Sequence, residues 1–184
     1  RPRLWDLNPF FNIRNNFSIR TGNPNLQAEF TDSYEISMIY DLNKASMNAG
    51  IYHRYTTDVV ERINVFENNV NTTRPENIGT NRATGFEYNI KYTPNKWLTV
   101  NGDFNYNYFI RTGELEGTSF DFNADQWSTK INTKFKLPAD IDTEITGQYR
   151  SKVQTVQSEI ADNLFFDFGA RKKILNGKGV INFS

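Results

Sequence analysis

The sequence predicts an all-β fold, an antiparallel up-and-down transmembrane β-barrel segment that supplies about eight strands of a larger barrel. Three observations predict it. From about Thr31 onward, hydrophobic and polar residues alternate with period two, which is typical of strands with two unlike faces. The connections between these segments alternate between short and long, and a run of alternate positions on one face of seven segments carries no formal charge.

Composition excludes several other classes of protein. Only 38% of the 184 residues are hydrophobic and the mean hydropathy is -0.65, which is lean for a soluble globule. With 15 Phe, 9 Tyr and 3 Trp, the chain is nevertheless too aromatic to be disordered. The 21 basic and 21 acidic residues balance, so we expect no nucleic-acid partner. The longest apolar runs, such as 164–166, are too short for a membrane-spanning helix of about 20 apolar residues.

The alternation predicts strands that are longer than those common in soluble proteins. The expected strands lie near 32–41, 45–58, 80–92, 97–111, 122–136, 141–152, 162–173 and from 179 to the end. Soluble strands usually have about 5–6 residues, whereas a tilted strand needs roughly 9–11 to cross a bilayer. The strand lengths therefore favour a membrane barrel.

The connections give the expected orientation of these strands. Short, turn-rich links lie at 41–44, 94–96, 137–140 and 175–178, and longer polar stretches lie around 62–78, 112–121 and 153–161. An up-and-down barrel has short turns at its periplasmic rim and long loops at its outer rim. The long stretches and the 1–30 passage are therefore expected to face outside.

On seven of the predicted strands, a run of alternate positions on one face is free of Asp, Glu, Lys and Arg. We call these faces the apolar rows, and their members are Tyr34, Ile36, Met38, Tyr40, Met47, Ala49, Ile51, His53, Tyr55, Thr84, Phe86, Tyr88, Ile90, Tyr92, Leu98, Val100, Gly102, Phe104, Tyr106, Tyr108, Trp127, Thr129, Ile131, Thr133, Phe135, Ile141, Thr143, Ile145, Gly147, Tyr149, Leu164, Phe166, Phe168 and Ala170. The opposite faces, the polar rows, carry Glu35, Arg54, Glu87, Lys91, Asp103, Lys130, Lys134, Asp142, Glu144, Arg150, Asp167 and Arg171. Because a bilayer core holds no water, the apolar rows are expected to face lipid and the polar rows a wet lumen.

Aromatic residues gather towards the ends of the predicted strands. Tyr40, Tyr92, Trp97 and Phe135 flank short turns, whereas Tyr55, Tyr106, Tyr108, Trp127 and Tyr149 lie towards the long stretches. Amphipathic rings favour the two membrane–water interfaces, so this distribution predicts a pair of aromatic girdles. The alternative is the ordinary preference of aromatic residues for strands.

The segment before the first long strand has a different character. Its distinctive residues are Arg1, Pro2, Asn8, Pro9, Phe10, Gly22, Asn23, Pro24, Leu26 and Glu29, followed by Tyr34 and Glu35. Pro9 and Pro24 fix φ and interrupt ladder bonding, Gly22 allows a turn, and Glu29 opens the strand. In this order the residues resemble the outer-loop passage of TonB-dependent receptors.

Two further stretches bear on this resemblance. The Asn-Pro-Phe element resembles the outer-membrane β-barrel families typical of Bacteroidetes, and Gly85-Phe86-Glu87 resembles the centre of an inbound strand of the family. Ala28 stands where the family usually has Pro, which is expected to loosen the entry to the strand.

The resemblance implies a C-terminal portion of a barrel of roughly 22 strands with a plugged lumen. Both ends of the chain look cut, so the plug and the segment that contacts TonB are expected in missing regions. The implied location is the bacterial outer membrane. The implied partners are outer-membrane lipid, the remaining strands and plug, TonB through those missing regions, and a surface lipoprotein as a further candidate.

Candidate chemical sites are few. His53 is the only histidine, so no second one can complete a metal cluster or a Ser-His-Asp triad. The stretch 121–125 has the opening spacing of a calcium loop, but Gln126 replaces the needed Gly, which favours a solvated loop. Asp142 and Glu144 share a face, although polar lumen walls hold such pairs routinely. We therefore expect no enzyme and no catalytic, metal or cofactor site.

An Asn-rich stretch is the candidate ligand-facing loop. Asn64, Glu67, Asn68, Asn69 and Asn71 supply groups suited to hydrogen-bonding a sugar or a siderophore. We expect a receptor barrel that imports a nutrient such as a siderophore, glycan, vitamin or peptide. Two alternatives stay open: a non-transport outer-membrane barrel with a structural, secretion or adhesion role, and a soluble β-sandwich that binds glycans.

Overall fold

The computed structural model describes residues 2–10, 12–15, 17–175 and 178–183, with residue 14 described by its backbone alone. Within them lie one short helix, α1 (Leu4–Leu7), and the strands β1 (Asn12–Asn15), β2 (Ser18–Arg20), β3 (Phe30–Leu42), β4 (Ala45–Thr57), β5 (Val60–Glu67), β6 (Val70–Asn77), β7 (Gly79–Asn95), β8 (Leu98–Leu115), β9 (Thr118–Leu137), β10 (Ile141–Arg150), β11 (Val153–Gln154), β12 (Glu159–Ile160), β13 (Asn163–Ile174) and β14 (Gly179–Phe183). Among the described residues, no helix has the length and apolar character that a membrane span requires.

The eight predicted strands form one antiparallel sheet with the order β14-β13-β10-β9-β8-β7-β4-β3. The strands of this sheet are arranged in the order in which they occur along the chain. The intervening strands β5, β6, β11 and β12 belong to other sheets. This up-and-down order confirms the predicted fold class. A separate four-stranded sheet has the order β1-β2-β6-β5, in which β2 and β6 run parallel.

Two of the stretches that were predicted as long loops are hairpins. Residues 62–78 fall largely in β5 and β6, and the 112–121 stretch continues β8 and β9 around a turn at Glu116 and Gly117. The loop prediction was wrong because it relied on polarity, whereas backbone ladder bonds form irrespective of which side chains flank them. In the third stretch, 153–161, only the short β11–β12 pair forms.

The chain divides into two compact units. We call the first the core unit (1–34, 53–83 and 109–123) and the second the span unit (35–52, 84–108 and 124–184). Buried apolar residues concentrate in the core unit, which contains Leu26, Val59, Ile63, Ile78, Ala83 and Phe109. Of these, Ile63 is the most completely buried, at 1% exposure.

The span unit contains a sheet whose apolar rows are in register but uncovered. Ile145 lies between Thr133 and Phe168 on the neighbouring strands, and Gly147 lies between Ile131 and Phe166. No apolar-row residue is buried, and Ile131 and Phe168 are 51% and 50% exposed. A sandwich core would bury these rows, whereas a barrel wall presents them to lipid.

Paired rings mark the two ends of the span unit's apolar rows. Trp97 stacks on Phe135 with ring centroids 6.3 Å apart, and Trp127 contacts Tyr149 at 4.7 Å. Trp127 and Phe135 are separated along β9 by about 27 Å of strand, or roughly 20 Å of height at the usual barrel tilt. This is close to the apolar band of about 25 Å in outer-membrane barrels, as the girdle prediction requires.

Gly85, in the stretch that resembles an inbound strand, has a packing reason to lack a side chain. The Tyr52 ring lies over it, and a Cβ at this position would come within about 2.3 Å of that ring and 2.5 Å of the Tyr106 carbonyl oxygen. Tyr52 is buried at 6% exposure in a polar row. The glycine thus makes room for a large ring against its own strand.

Candidate functional site

The family-like passage before β3 is held in the core unit by its own backbone. The Gly22 N–H donates to the Asn8 carbonyl oxygen at 2.8 Å, and the Asn23 N–H donates to that of Asp6 at 2.7 Å. A Cβ at Gly22 would lie 2.6 Å from the Asn8 oxygen. Close approach of two backbone segments, rather than the predicted need for a turn, therefore requires glycine here.

Asparagine side chains shape the two bends of this passage. The Asn8 Oδ1 accepts the Phe10 N–H at 3.1 Å, and the Asn23 Oδ1 accepts the Asn25 N–H at 3.0 Å. Both are Asx-type turns, in which the side chain replaces a backbone acceptor. Asn23 also donates to the Pro75 carbonyl oxygen at 3.3 Å, which ties the second bend to β6.

The end of the passage lies against the β5–β6 hairpin. Leu26 is buried, at 7% exposure. The Glu29 carboxylate accepts the Val60 N–H at 2.7 Å, while Gln27 and Asn77 exchange two hydrogen bonds of 2.8 and 3.2 Å. Glu29 therefore does more than open β3, because it also satisfies the first backbone donor of β5.

The remaining family-like positions lie at separate places within residues 1–35. Pro24 lies in the second bend, and the Pro9 carbonyl oxygen accepts the Thr21 hydroxyl at 3.0 Å. Tyr34 and Glu35 are consecutive residues of β3, so they point to opposite faces of the sheet. Arg1 lies outside the described residues.

Pro2 lines a cavity of about 530 Å³ in the core unit. Ion pairs at or beside it join Arg62 to Asp6 at 3.1 Å and Arg111 to Glu61 at 2.7 Å. The charged groups around this cavity therefore largely neutralise one another, and they fasten the passage and β8 to the hairpin.

The Asn-rich candidate loop is the tip of the β5–β6 hairpin. Asn68 and Asn69 form its turn with φ of 51° and 63°, a conformation that Asn tolerates better than most residues. The Asn64 Oδ1 accepts the Thr73 hydroxyl at 2.7 Å, and the Asn71 N–H donates to the Phe17 carbonyl oxygen at 2.8 Å.

These contacts give four of the stretch's asparagines a part in the hairpin's structure. Glu67, the last residue of β5, is exposed beside the turn. The ligand role of this set stays a prediction.

In the span unit, polar-row side chains form a hydrogen-bonded wall. Asn132 donates to the carboxylate of Glu144 and to the hydroxyl of Thr146, and the Lys134 ammonium lies 3.4 Å from the same carboxylate. Elsewhere on the wall, Asn105 donates to another carboxylate, that of Glu87, at 3.1 Å. The Glu144 carboxylate therefore balances a neighbouring cation, as expected of a polar lumen wall.

The other candidate metal or catalytic residues do not come together in a site among the described residues. Residues 121–125, predicted as a solvated loop, lie within β9, so the loop prediction was wrong for them. His53 lies on β4 and is exposed. Among the described residues, no group of three or more His, Cys, Asp or Glu could hold a metal ion.

A groove in the core unit has no counterpart among the sites predicted from the sequence. Its volume is about 700 Å³, and its lining is Trp5, Asn8, Phe10, Asn12, Ile13, Arg20, Thr21 and Gly22. Asn12 and Arg20 are direct partners across the β1–β2 pair. These strands have only four and three residues, too few for a periodic signal in the sequence.

Comparison with protein families identifies the group to which the chain is similar. A model of the outer membrane protein beta-barrel family matches residues 1–184, the full length of the sequence. No curated protein matches the chain.

Proposed function

Because the chain belongs to the outer membrane protein beta-barrel family, we propose that it forms part of the barrel of a TonB-dependent receptor importing a nutrient. Family membership places the protein in the bacterial outer membrane. The soluble β-sandwich alternative is therefore wrong. For a membrane barrel, nutrient import and a structural, secretion or adhesion role predict different effects of deleting the gene.

The polar wall opposite the uncovered apolar rows is the observation that carries this proposal. Hydrophilic cargo needs a path lined by groups that replace its water of hydration. The amide of Asn132, the carboxylate of Glu144 and the ammonium of Lys134 supply both donors and acceptors on such a wall. A purely structural barrel has no need for this surface to remain open to water.

The proposal assigns no bond chemistry to this chain. Its polar groups would bind and guide cargo, while energy would come from TonB through other regions of the receptor. A plug, the remaining strands and outer-membrane lipid would be its partners, with a surface lipoprotein as a further candidate. The long β5–β6 hairpin and the 2–29 passage would then lie at the outer rim.

The test is uptake by cells that carry or lack the complete gene. We expect deletion of the gene to abolish growth on one limiting nutrient, and deletion of TonB to reproduce that loss. Complementation with the intact gene should restore growth only when TonB is present.

Growth that is unchanged by either deletion on every nutrient tested would contradict import. If deletion instead weakens surface adhesion or envelope integrity while uptake stays unchanged, the structural alternative is correct. A control strain that lacks an unrelated outer-membrane barrel separates specific loss from general leakage.

A further inference from the structure

We propose that the groove of about 700 Å³ in the core unit is a saccharide-binding site. The inference rests on the proposed function, since it names the class of nutrient that the receptor would capture. The groove lies in the 2–29 passage and is distinct from the Asn-rich hairpin tip.

The first argument is the exposure of two large rings. Trp5 and Phe10 are 80% and 79% exposed, although both line the groove. They belong to α1 and to the bend after it, outside the apolar rows. Exposed aromatic residues at a groove mark a binding surface.

The second argument is the polar pair beside these rings. Asn12 and Arg20 face each other across β1 and β2, so their Cβ atoms are about 4.5–5.5 Å apart. Among the described residues, neither side chain has a hydrogen bond or an ion pair. The carboxamide offers donors and an acceptor, and the guanidinium offers a fork of donors.

A saccharide matches both sets of groups. One side of a sugar ring carries C–H bonds whose partial positive charge is attracted to the negative face of an indole or phenyl ring. Its edge carries neighbouring hydroxyls, which suit the carboxamide of Asn12 and the guanidinium of Arg20. The groove volume is within the range of about 300–1,000 Å³ that is typical of small-ligand sites, large enough for a short oligosaccharide.

The neighbouring cavity at Pro2 offers a contrast. Its Arg62 and Glu61 are committed to ion pairs within the protein, and its Glu29 is committed to a backbone N–H. Arg3 also lines that cavity, but no aromatic residue does among the described residues, whereas the saccharide groove combines two rings with the unpaired Asn12 and Arg20. Of the two, it is the one equipped for an external ligand.

Binding to a printed array of neutral and acidic oligosaccharides tests the proposal, with the full-length protein in detergent. The oligosaccharide retained best is then titrated by calorimetry. We expect Trp5→Ala and Arg20→Ala each to weaken binding by about tenfold or more. Trp5→Phe keeps a stacking face and should recover most of the affinity.

The matched control is Phe66→Ala. Phe66 is also an exposed aromatic residue of the core unit, at 71% exposure, but it does not line the groove. It should leave affinity unchanged. Retention of barrel fold, checked by resistance to heat and trypsin, excludes unfolding as the cause of any loss.

The proposal is overturned if the array retains no oligosaccharide, or if Trp5→Ala and Arg20→Ala bind as well as the native protein. A ferric catecholate that binds this groove in place of saccharides would also overturn it. Saccharide binding without TonB-dependent uptake would uphold the groove and reject import. TonB-dependent uptake of a nutrient that does not bind the groove would uphold import and reject the groove as a saccharide site.

Discussion

The core unit and the span unit place similar side chains in opposite surroundings. In the core unit, Ile63 is 1% exposed within protein, whereas Ile145 of the span unit is 45% exposed. Both lie on strands, and neither residue type nor alternation distinguishes them. The difference teaches that one chain uses two apolar environments: packed protein in one unit and lipid in the other.

The largest expected effect compares the same truncation in both units. Ile63→Ala should destabilise the core unit by about 2–5 kcal/mol, because the protein around it cannot refill the cavity. Ile145→Ala should cost less, because lipid chains fill the space. Protease sensitivity of the β5–β6 region and chemical unfolding of the full-length protein in bilayers measure the two effects. Equal losses would contradict the assignment of separate environments.

The next effect tests which face of the span unit meets lipid. Phe165 and Phe166 are adjacent on β13 and exposed at 58% and 73%, but they point to opposite faces. Phe166→Arg should cost about 2–4 kcal/mol, as expected for a cation in the middle of the bilayer, whereas Phe165→Arg should cost little. Unfolding in lipid vesicles measures both variants. The reverse order would show that the faces are exchanged.

A smaller effect is expected where backbone segments meet in the core unit. Gly22→Ala places a Cβ against the Asn8 oxygen and should cost on the order of 1–3 kcal/mol. Limited proteolysis should then cut the 2–29 passage while the span unit stays intact. Gly169→Ala, whose Cβ would meet nothing closer than 3.9 Å, is the control. Unchanged cleavage in both variants would mean that the passage is not fastened at Gly22.

The smallest effects come from ion pairs. Arg111 and Glu61 are paired at 2.7 Å and only 24% and 18% exposed, so Arg111→Met should cost about 1–2 kcal/mol. Lys152 and Glu159 are 68% and 50% exposed, and Lys152→Met should cost less than about 1 kcal/mol. Unfolding in low and high salt should separate them. A larger loss for Lys152→Met would contradict the burial argument.

The sequence predicts the span unit well because its signals are local. Alternation and turn residues place β10 and β13 within a few residues, and the charge-free faces identify the rows that stay uncovered. The core unit is harder to predict because its contacts join distant segments. Ile63 is buried in a stretch that polarity alone assigns to a loop, and the parallel pairing of β2 with β6 leaves no periodic signal.

The candidate site shows the same difference between features with local signals and features that depend on contacts between distant segments. The sequence singles out Gly22 and Glu29, but their reasons, close approach to Asn8 and a bond to Val60, depend on tertiary contacts. The groove escapes sequence analysis because Asn12 and Arg20 become neighbours only when two very short strands pair.

The buried cluster of the core unit has a consequence for the order of assembly during biogenesis. Its members come from separate places between Leu26 and Phe109, so it can close only after several strands have been brought together. Each short hairpin of the span unit, such as β9–β10, needs only neighbouring residues and can form sooner. The core unit, which carries the groove, would thus reach its final structure last, after the polar wall of the span unit has formed in the membrane.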